Sequence, residues 1–288
     1  MADILKGKPI ADKISEEIHK KINLLKEKGI KVKIAAIQIG DDAATQYYVK
    51  SQQKQAEKHE IEHQLFKLAP QTNQQQLIDV INEINTSDSV TGIILLTPLP
   101  EQINTWQARI AIDPKKDIEG IHPSNLGLIV YNKQRLAPCT ALAAIKMLEA
   151  CNIDLTGAET VIVGRSAIVG KPAALLLLDK KLSATVTICH TGTSKKGKLE
   201  EHIANADIVI AAMGVPEAIK GDWIKPGAIV IDVGVNQIDD KLVGDVEFDK
   251  AAQRASIITP VPGGVGTVTT RLLMLNAVES ACWQHGIE

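Results

Sequence analysis

A glycine-containing turn is the first part of this sequence whose residue types and spacing could bind a ligand. The segment GRSAIVGKP covers residues 164–172 and follows the apolar stretch TVIV. Gly164 would allow a sharp turn close to a phosphate, and Gly170 would let the following helix pack against a sheet. Free N–H groups at the start of that helix attract anions. The segment predicts a dinucleotide-binding turn, although Ser166 replaces the usual middle glycine and an ordinary strand–helix connection is the alternative.

The residues around this turn favour NADP over NAD. An NAD site usually ends its second strand with Asp or Glu, which binds the ribose 2′-hydroxyl. Here that strand ends in residues 189–193, Cys-His-Thr-Gly-Thr, which include no acid. Arg165 in the turn, followed later by Lys195 and Lys196, would attract a 2′-phosphate. A solvated helix start is the alternative explanation for the two lysines. We expect NADP as the cofactor.

Alternating apolar and amphipathic segments predict the elements that position this turn. In the first half, helices are expected at 8–29, 43–59 and 73–85, and strands at 33–39, 62–68 and 91–97. In the second half, strands at 157–164, 184–190, 207–212 and 227–234 alternate with helices at 169–180 and 195–205, and a long helix covers 268–285. This alternation predicts an α/β fold in which helices cover a parallel sheet.

The chain length predicts two domains. A chain of 288 residues exceeds what one small core needs. We place the boundary in a helix around 141–150 and expect the chain to return to the first domain near its end. The predicted domains are therefore 1–145 plus about 268–288, and 146–267.

Composition excludes several classes of protein. A net charge of −2 provides no basic field for nucleic acid or an anionic membrane. No segment approaches the roughly 18 apolar residues of a membrane helix, and the N-terminus lacks the pattern of a secretory signal. The four cysteines are scattered without metal-ligand spacing. We expect a cytoplasmic protein with reduced thiols and no metal site.

Several segments resemble one known family. The most specific are VGRSAIVGKP (163–172), GDWIKPGAIVIDVGVN (221–236), GDVEF (244–248) and ITPVPGGVG (258–266). IGDDAATQYYV (39–49), GIILLTPLP (92–100), KKDIEGIHPSNLG (115–127) and APCT (137–140) agree more loosely. Together these segments make the chain similar to the bifunctional methylenetetrahydrofolate dehydrogenase/cyclohydrolase family over nearly its whole length.

The resemblance implies a fold, a chemistry and a set of site residues. Members have an N-terminal α/β catalytic domain, a C-terminal Rossmann-type NADP domain and a folate-binding cleft between them, and they are usually homodimers. They oxidise 5,10-methylenetetrahydrofolate with NADP⁺ and then add water to the methenyl product. By this resemblance, Gly164, Arg165, Ser166, Thr191 and Val235 contact the cofactor. The folate contacts are expected at Tyr48, Leu96, Pro98, Glu119, Gly263 and Gly264.

The position at which the family has its catalytic lysine is occupied by a different residue in this chain. The family pattern on the first helix of the cleft is Tyr-Val, two residues, then Lys, but Tyr48 is followed four residues later by Gln52. Glutamine cannot act as an acid or a base. Lys50 and Lys54 lie two positions from Gln52, about 200° around a helix, and should face away. We list Tyr48, Gln52 and Glu119 as the candidate catalytic positions.

Two further departures accompany the missing lysine. Leu96 stands where the family has a glutamine that hydrogen-bonds the lysine. A glutamine kept at this position without the lysine would lose its hydrogen-bond partner, which costs about 1–3 kcal/mol if the glutamine is buried. Leucine avoids this cost. Glu119 stands where the family has an aspartate that contacts the pterin. It keeps the charge and extends its reach by one methylene, so either a tolerated exchange or an altered folate geometry is possible.

Four functions are compatible with these residues. The first is a bifunctional enzyme in which other groups carry the proton chemistry. The second is a dehydrogenase with weak or absent cyclohydrolase activity, because hydride transfer depends mainly on positioning two rings. The third is a catalytically impaired binding or regulatory protein. The fourth is an NADP-dependent reductase of another small molecule. NADP-dependent methylenetetrahydrofolate dehydrogenase activity is the predicted core function.

Overall fold

The structure is a computed structural model. It describes residues 1–239 and 241–287, except for the side chains of residues 43–45 and 47. Up to residue 149 the elements are β1 (Asp3–Ile4), α1 (Lys8–Glu27), β2 (Lys33–Ile39), α2 (Ala43–Lys58), β3 (Glu62–Leu68), α3 (Gln74–Thr86), β4 (Gly92–Leu95), α4 (Thr105–Ile110), α5 (Pro123–Val130) and α6 (Cys139–Glu149). They continue as β5 (Glu159–Val163), α7 (Gly170–Leu177), β6 (Thr185–Cys189), α8 (Thr191–Lys195), α9 (Leu199–Asn205), β7 (Ile208–Ala211), β8 (Ile229–Asp232), β9 (Asn236–Ile238), β10 (Lys241–Val243), α10 (Phe248–Ala251), β11 (Ile257–Ile258) and α11 (Val265–Gln284).

The longer helices follow from apolar spacing and capping. In α1, Ile14, Ile18 and Ile22 are buried at four-residue intervals on one face, as the sequence pattern predicts. In α3, the Asn73 side chain accepts from the backbone of Gln76, and the Gln76 side chain accepts in return from the backbone of Asn73. This capping box satisfies two backbone donors at the helix start.

The chain divides into two compact units. Unit 1 comprises residues 1–12 and 138–269, and unit 2 comprises residues 13–137 and 270–288. These limits differ from the predicted domain boundaries at the N-terminus and at α6. Strand β1 pairs in parallel with β11, which places the first residues in unit 1. Helix α6 packs against α7 of the same unit. A two-residue strand has no periodicity to recognise, so this pairing was not predicted.

Unit 1 contains a six-stranded sheet in the order β1-β11-β8-β7-β5-β6. All five strand pairs are parallel. β6 and β7 both follow β5 in the chain but flank it on opposite sides, so the winding of the sheet reverses at β5. Ligands of doubly wound folds bind at the carboxyl ends of the strands at such a reversal.

Unit 2 contains a three-stranded parallel sheet in the order β3-β2-β4. β2 and β4 are almost entirely buried and apolar, which is typical of strands covered on both faces. The last turns of α11 are tied to this sheet, since Ser280 Oγ donates to the carbonyls of Thr91 and Lys115, at 2.5 Å in each case. Asn276 Nδ2 donates to the carbonyl of Ile118 at 2.8 Å. These bonds fix the segment that leads to Glu119.

The described residues contain neither a membrane-spanning helix nor a cluster of metal ligands. None of their helices is long and apolar enough to cross a membrane. No group of three or more His, Cys, Asp or Glu side chains among them could hold a metal ion.

Candidate functional site

A cavity of about 430 Å³ in unit 1 contains most of the predicted cofactor residues. It lies at the carboxyl ends of β5, β6 and β7. Of the predicted residues, Gly164, Arg165, Ser166 and Thr191 line it. Val235 is 56% exposed and is not among the lining residues described. The turn that the sequence indicated and the reversal of the sheet therefore coincide.

The two glycines of the turn are required by its geometry. Gly164 has a φ of +138°, and a Cβ there would lie 2.1 Å from the carbonyl oxygen of Ala212. A Cβ at Gly170 would lie 2.0 Å from the carbonyl oxygen of Gly164. The turn therefore passes against its neighbours without room for side chains. Ser166 Oγ accepts from Val169 N at 3.1 Å, so the serine in the middle position stabilises the turn itself.

The charged side chains that line this cavity are positive. Arg165 and Lys195 contribute positive charge to the lining, His190 also lines the cavity, and none of its described residues is Asp or Glu. Lys195 therefore lies at the cavity, whereas Lys196 is exposed and is not among the lining residues. A phosphate would meet cations here and no opposing carboxylate. This arrangement fits a phosphorylated ribose.

His190 has a structural contact that the sequence analysis did not identify. Its Nδ1 accepts from Gly192 N at 3.0 Å, and Thr193 Oγ1 accepts from His190 N at 3.2 Å. These reciprocal bonds begin α8 directly after β6. The pattern His-Thr-Gly-Thr resembles the short polar residues that cap helices and could have indicated this helix start. The result is a fixed position for Thr191 at the cavity.

A second, smaller cavity of about 270 Å³ lies in unit 2. Its lining comprises Tyr48, Gln52, Ile94, Leu95, Leu96, Thr97 and Glu119. Tyr48 and Gln52 are four residues apart on α2 and face the same cavity. Lys50 and Lys54 are exposed, and neither is among the described lining residues. The structure thus places the three candidate catalytic positions together, along with Leu96.

Gln52 has an unusual environment for an amide. Its Oε1 atom is buried and accepts no hydrogen bond within the described part of the protein. A buried acceptor without a donor costs about 1–3 kcal/mol. Leu96, which is buried, supplies no polar group beside it. Gln52 Oε1 is therefore an unpartnered acceptor on a residue that lines the cavity.

Glu119 is held at the end of β4. Its Oε2 atom accepts from Leu95 N at 3.2 Å. Burial and, to a smaller extent, the negative charge of Asp117 raise the pKa of this carboxyl to about 7, against the opposing effect of the Leu95 hydrogen bond. An acid with a pKa near neutrality can both accept and donate a proton at physiological pH. Among the described lining residues, Tyr48 and Glu119 are the titratable ones.

Asp117 shapes the loop that carries Glu119. Its Oδ2 atom accepts from His122 N at 2.7 Å and from Asn125 Nδ2 at 2.8 Å. His122 Nδ1 in turn accepts from Ser124 N at 3.0 Å and caps α5. The two acidic residues of the KKDIEG segment thus have different roles: Asp117 holds the loop, and Glu119 lines the cavity.

Three predicted folate residues lie outside this cavity. Pro98 follows the lining residue Thr97 and is exposed. Gly263 and Gly264 belong to unit 1. Gly263 has a φ of +99° and open space at its Cβ position, whereas a Cβ at Gly264 would lie 2.5 Å from the carbonyl oxygen of Pro260. Gly264 is therefore explained by the packing of its own loop.

Two protein-family models match this chain. Residues 5–119 match the tetrahydrofolate dehydrogenase/cyclohydrolase catalytic domain. Residues 138–285 match the NAD(P)-binding domain of the same family. The first matched region contains the residues that line the smaller cavity. The second contains the residues that line the larger cavity, and it also contains the predicted folate residues Gly263 and Gly264.

Similar proteins are found among curated sequences and solved structures. Bifunctional protein FolD 2 of Geobacter sulfurreducens is 46% identical over 282 residues, which are 98% of this chain and 97% of the relative. The structure of the bifunctional enzyme FolD from Campylobacter jejuni has 40% identity and a TM-score of 0.94, and covers 99% of this chain and 100% of its own. The Trypanosoma brucei methylenetetrahydrofolate dehydrogenase-cyclohydrolase, complexed with NADP cofactor and inhibitor, has 32% identity and a TM-score of 0.92, with 99% and 98% coverage.

Proposed function

Because the chain belongs to the tetrahydrofolate dehydrogenase/cyclohydrolase family, we propose that it is an NADP-dependent 5,10-methylenetetrahydrofolate dehydrogenase whose cyclohydrolase step is weak or absent. The observation that carries this proposal is Gln52, which faces the smaller cavity where the family resemblance calls for lysine. The Campylobacter jejuni and Trypanosoma brucei proteins are named for both activities, so the difference concerns this chain's own residues.

The loss of the lysine acts on the hydrolytic step. Adding water to the methenyl carbon requires a group that accepts a proton from that water. Such a group typically accelerates a reaction by about 10²–10⁴-fold. Gln52 cannot accept that proton, and the neighbouring lysines on α2 are exposed to solvent. Leu96 removes the polar partner that a lysine would need. Hydrolysis of methenyltetrahydrofolate should therefore be about 10²–10⁴-fold slower than in an enzyme with lysine at this position.

The dehydrogenase step retains what it needs. NADP⁺ supplies the hydride acceptor when it is bound in the larger cavity. Gly164 and Gly170 leave room for the backbone turn against the phosphates, and Arg165 and Lys195 bring positive charge. We assign the 2′-phosphate to Arg165 and Ser166, with Thr191 and Val235 further along the dinucleotide. Hydride transfer requires the two rings to be held in contact and needs no proton acceptor from the protein.

We assign the folate to the smaller cavity through Tyr48, Gln52 and Glu119. Pterin N–H groups are donors, and the side chains of Gln52 and Glu119, which line this cavity, carry acceptor oxygens. Leu96 contributes an apolar surface. Pro98, Gly263 and Gly264 remain proposed folate contacts, which rest on the family resemblance.

A second candidate retains both activities, and Glu119 is the residue that favours it. Its pKa of about 7 would let its carboxylate accept the proton from the attacking water. The water oxygen would then form a bond to the methenyl carbon as the carbon–N5 double bond is lost. The carbon–N5 bond would later break as the hydroxyl oxygen releases its proton to solvent and becomes the formyl carbonyl, with N5 taking the proton held by Glu119, to give the 10-formyl product.

The deciding experiment compares the wild-type protein with Gln52→Lys. NADPH formation from methylenetetrahydrofolate and hydrolysis of methenyltetrahydrofolate are measured separately, the latter against the spontaneous rate in buffer. We expect dehydrogenase activity in both proteins, and hydrolysis that increases by about 10²-fold in Gln52→Lys. Gln53→Lys is the matched control, since Gln53 is exposed on the same helix.

Each other result has a defined meaning. Hydrolysis by the wild-type protein at a rate similar to its dehydrogenase rate would contradict the proposed loss and favour the Glu119 alternative. Absence of both activities would contradict the proposed function and favour a binding protein or a different substrate.

We also propose a cytoplasmic homodimer that does not bind nucleic acid. The homodimer follows from the family resemblance, and the net charge of −2 supports the absence of nucleic-acid binding. Light scattering after size-exclusion chromatography tests the oligomeric state, and a single species with the 31.1 kDa mass of one chain would contradict the dimer.

A further inference from the structure

One wall of the larger cavity is a short segment after β7. Ala212, Met213 and Val215 line the cavity, and Gly214 between them has a φ of +66°. Ala212 N still donates to the carbonyl of Val163 in β5, but beyond it the segment Met213–Val215 has left the sheet and has no strand neighbour among the described residues. Its backbone amides must therefore find acceptors elsewhere.

Those amides all bind one carboxylate. Asp245 Oδ2 accepts from Met213 N at 2.6 Å and from Gly214 N at 3.0 Å, and Asp245 Oδ1 accepts from Val215 N at 2.9 Å. Asn236 Nδ2 donates to Oδ1 at 2.9 Å. Asp245 is fully buried. A single side chain thus sets the path of three consecutive residues in the cavity wall.

The position of Asp245 is in turn set by Asp232 at the end of β8. Asp232 Oδ1 accepts from Asp245 N at 3.0 Å, and Asp232 Oδ2 accepts from Val246 N at 2.9 Å. Glycines make room for both carboxylates: a Cβ at Gly244 would lie 1.9 Å from Asp232 Oδ2, and one at Gly234 would lie 2.3 Å from Asp245 Oδ1. The motifs IDVG and GDVEF therefore form one buried assembly.

We propose that Asp245 is a positioning residue for NADP, which it serves by holding Met213–Val215 against the cofactor cavity. Because Asp245 accepts all three amides, none of them is available to bind a phosphate, and the segment presents side chains to the cavity. The wall is accordingly apolar, which suits the flat face of a base or nicotinamide ring. This inference rests on the proposed use of NADP and adds a residue that does not line the cavity.

Asp245→Asn isolates this role. The variant keeps the shape of the side chain but replaces one acceptor oxygen with an NH₂ group, which opposes backbone N–H donors. At least one amide of the segment then loses its acceptor, and the wall shifts. We expect NADP to bind about 5- to 100-fold more weakly by calorimetry. The KM for NADP should rise by a similar factor, while kcat at saturating NADP changes by less than about threefold.

Asp249→Asn is the matched control, because Asp249 is exposed on α10 four residues away and receives the same chemical change. It should bind NADP like the wild-type protein. If Asp245→Asn lacks the wild-type circular dichroism spectrum, Asn236→Ala replaces it. That variant removes one donor to Asp245, and we expect NADP binding about 2- to 10-fold weaker.

The outcomes separate this inference from the proposed function. Wild-type protein that binds no NADP would overturn the cofactor assignment, and the inference with it. Wild-type protein that binds NADP, with a folded Asp245→Asn or Asn236→Ala of equal affinity, would overturn the inference alone. A fall in kcat without a change in NADP affinity would also overturn it, since that pattern indicates a role other than positioning the cofactor.

Discussion

Individual side chains in the smaller cavity decide which chemistry this chain can perform. Gln52 and Leu96 are neutral at the two positions where the family resemblance implies lysine and glutamine, and Glu119 is the carboxyl group among the described lining residues. The negative charge of Asp117, which holds the loop, adds to the proton affinity of Glu119. For Glu119 burial has the larger effect, and its pKa is about 7.

The titration of Glu119 predicts a pH-dependent folate affinity. Above pH 7 the carboxylate accepts hydrogen bonds from pterin donors, and below pH 7 the neutral acid accepts them more weakly. We expect the KM for methylenetetrahydrofolate to rise about 5-fold as the pH falls from 8 to 6. Glu119→Gln should have a raised KM that no longer changes over this range.

Initial rates at saturating NADP⁺ measure this effect. Glu83→Gln is the control, because Glu83 is exposed on α3, and it should retain the wild-type profile. A Glu119→Gln protein whose KM still rises as the pH falls would assign the titration to another group or to the substrate.

At the scale of the element, the β5–α7 connection combines a backbone path with a packing requirement. Its glycines are needed because carbonyl oxygens occupy the space that a Cβ would take. In addition, the positive φ at Gly164 would strain the backbone of any L residue placed there.

Gly164→Ala should therefore weaken cofactor binding strongly while the protein still folds. The new Cβ would press on the carbonyl of Ala212, so β5 and the wall after β7 must separate. We expect NADP affinity to fall by at least about 10-fold and the free energy of unfolding to fall by about 1–3 kcal/mol. Calorimetry and urea denaturation measure the two effects. Gly197→Ala, at a positive φ with open space around it, controls for backbone strain alone and should leave NADP affinity unchanged.

The secondary structure could be predicted well from sequence, and the reasons are local. β2, β5 and α1 carry unbroken apolar runs or helical spacing, and the predicted segments at 33–39, 157–164 and 8–29 coincide with them to within a few residues. The strands β1 and β11 were missed because two residues carry no period. The pairing of Asp3 with Ile257 joins residues about 250 positions apart, which no local pattern indicates.

At the scale of the whole molecule, buried ionisable groups link stability to pH. His59 is fully buried, its ring lies 4.9 Å from that of His19, and neither of its nitrogens has a hydrogen-bond partner in the described structure. Burial, and then the positive charges of His19, Arg271 and Lys58, lower its pKa from 6.5 to about 4.

This shift predicts destabilisation by mild acid. Below pH 6.5 the unfolded chain binds a proton at His59 that the folded protein does not bind until about pH 4. The free energy of unfolding should therefore fall between these values, by at most about 1.4 kcal/mol per pH unit from this residue. Above pH 6.5 His59 is neutral in both states and has no such effect.

Urea denaturation of His59→Leu at pH 7, 6 and 5 tests the linkage. Its stability should fall less steeply with acid than that of the wild-type protein, whereas His285→Leu, which changes an exposed histidine, should follow the wild type. Parallel curves for wild type and His59→Leu would show that other groups cause the acid sensitivity.

The sequence by itself determined the fold class and the family, and it predicted the position of the dinucleotide turn and a glutamine, Gln52, where the family resemblance implies lysine. Each of these depends on residue identity and short-range spacing, which a single chain displays directly. Only the tertiary structure decided that Glu119 lies half-buried beside Asp117, that Leu95 N donates to it, and that Asp245 accepts three consecutive amides in the wall of the larger cavity. The physical reason is that proton affinity and loop position depend on desolvation and on hydrogen-bond partners distant in the chain. Asp245 and Met213 are 32 residues apart, yet their atoms are separated by 2.6 Å.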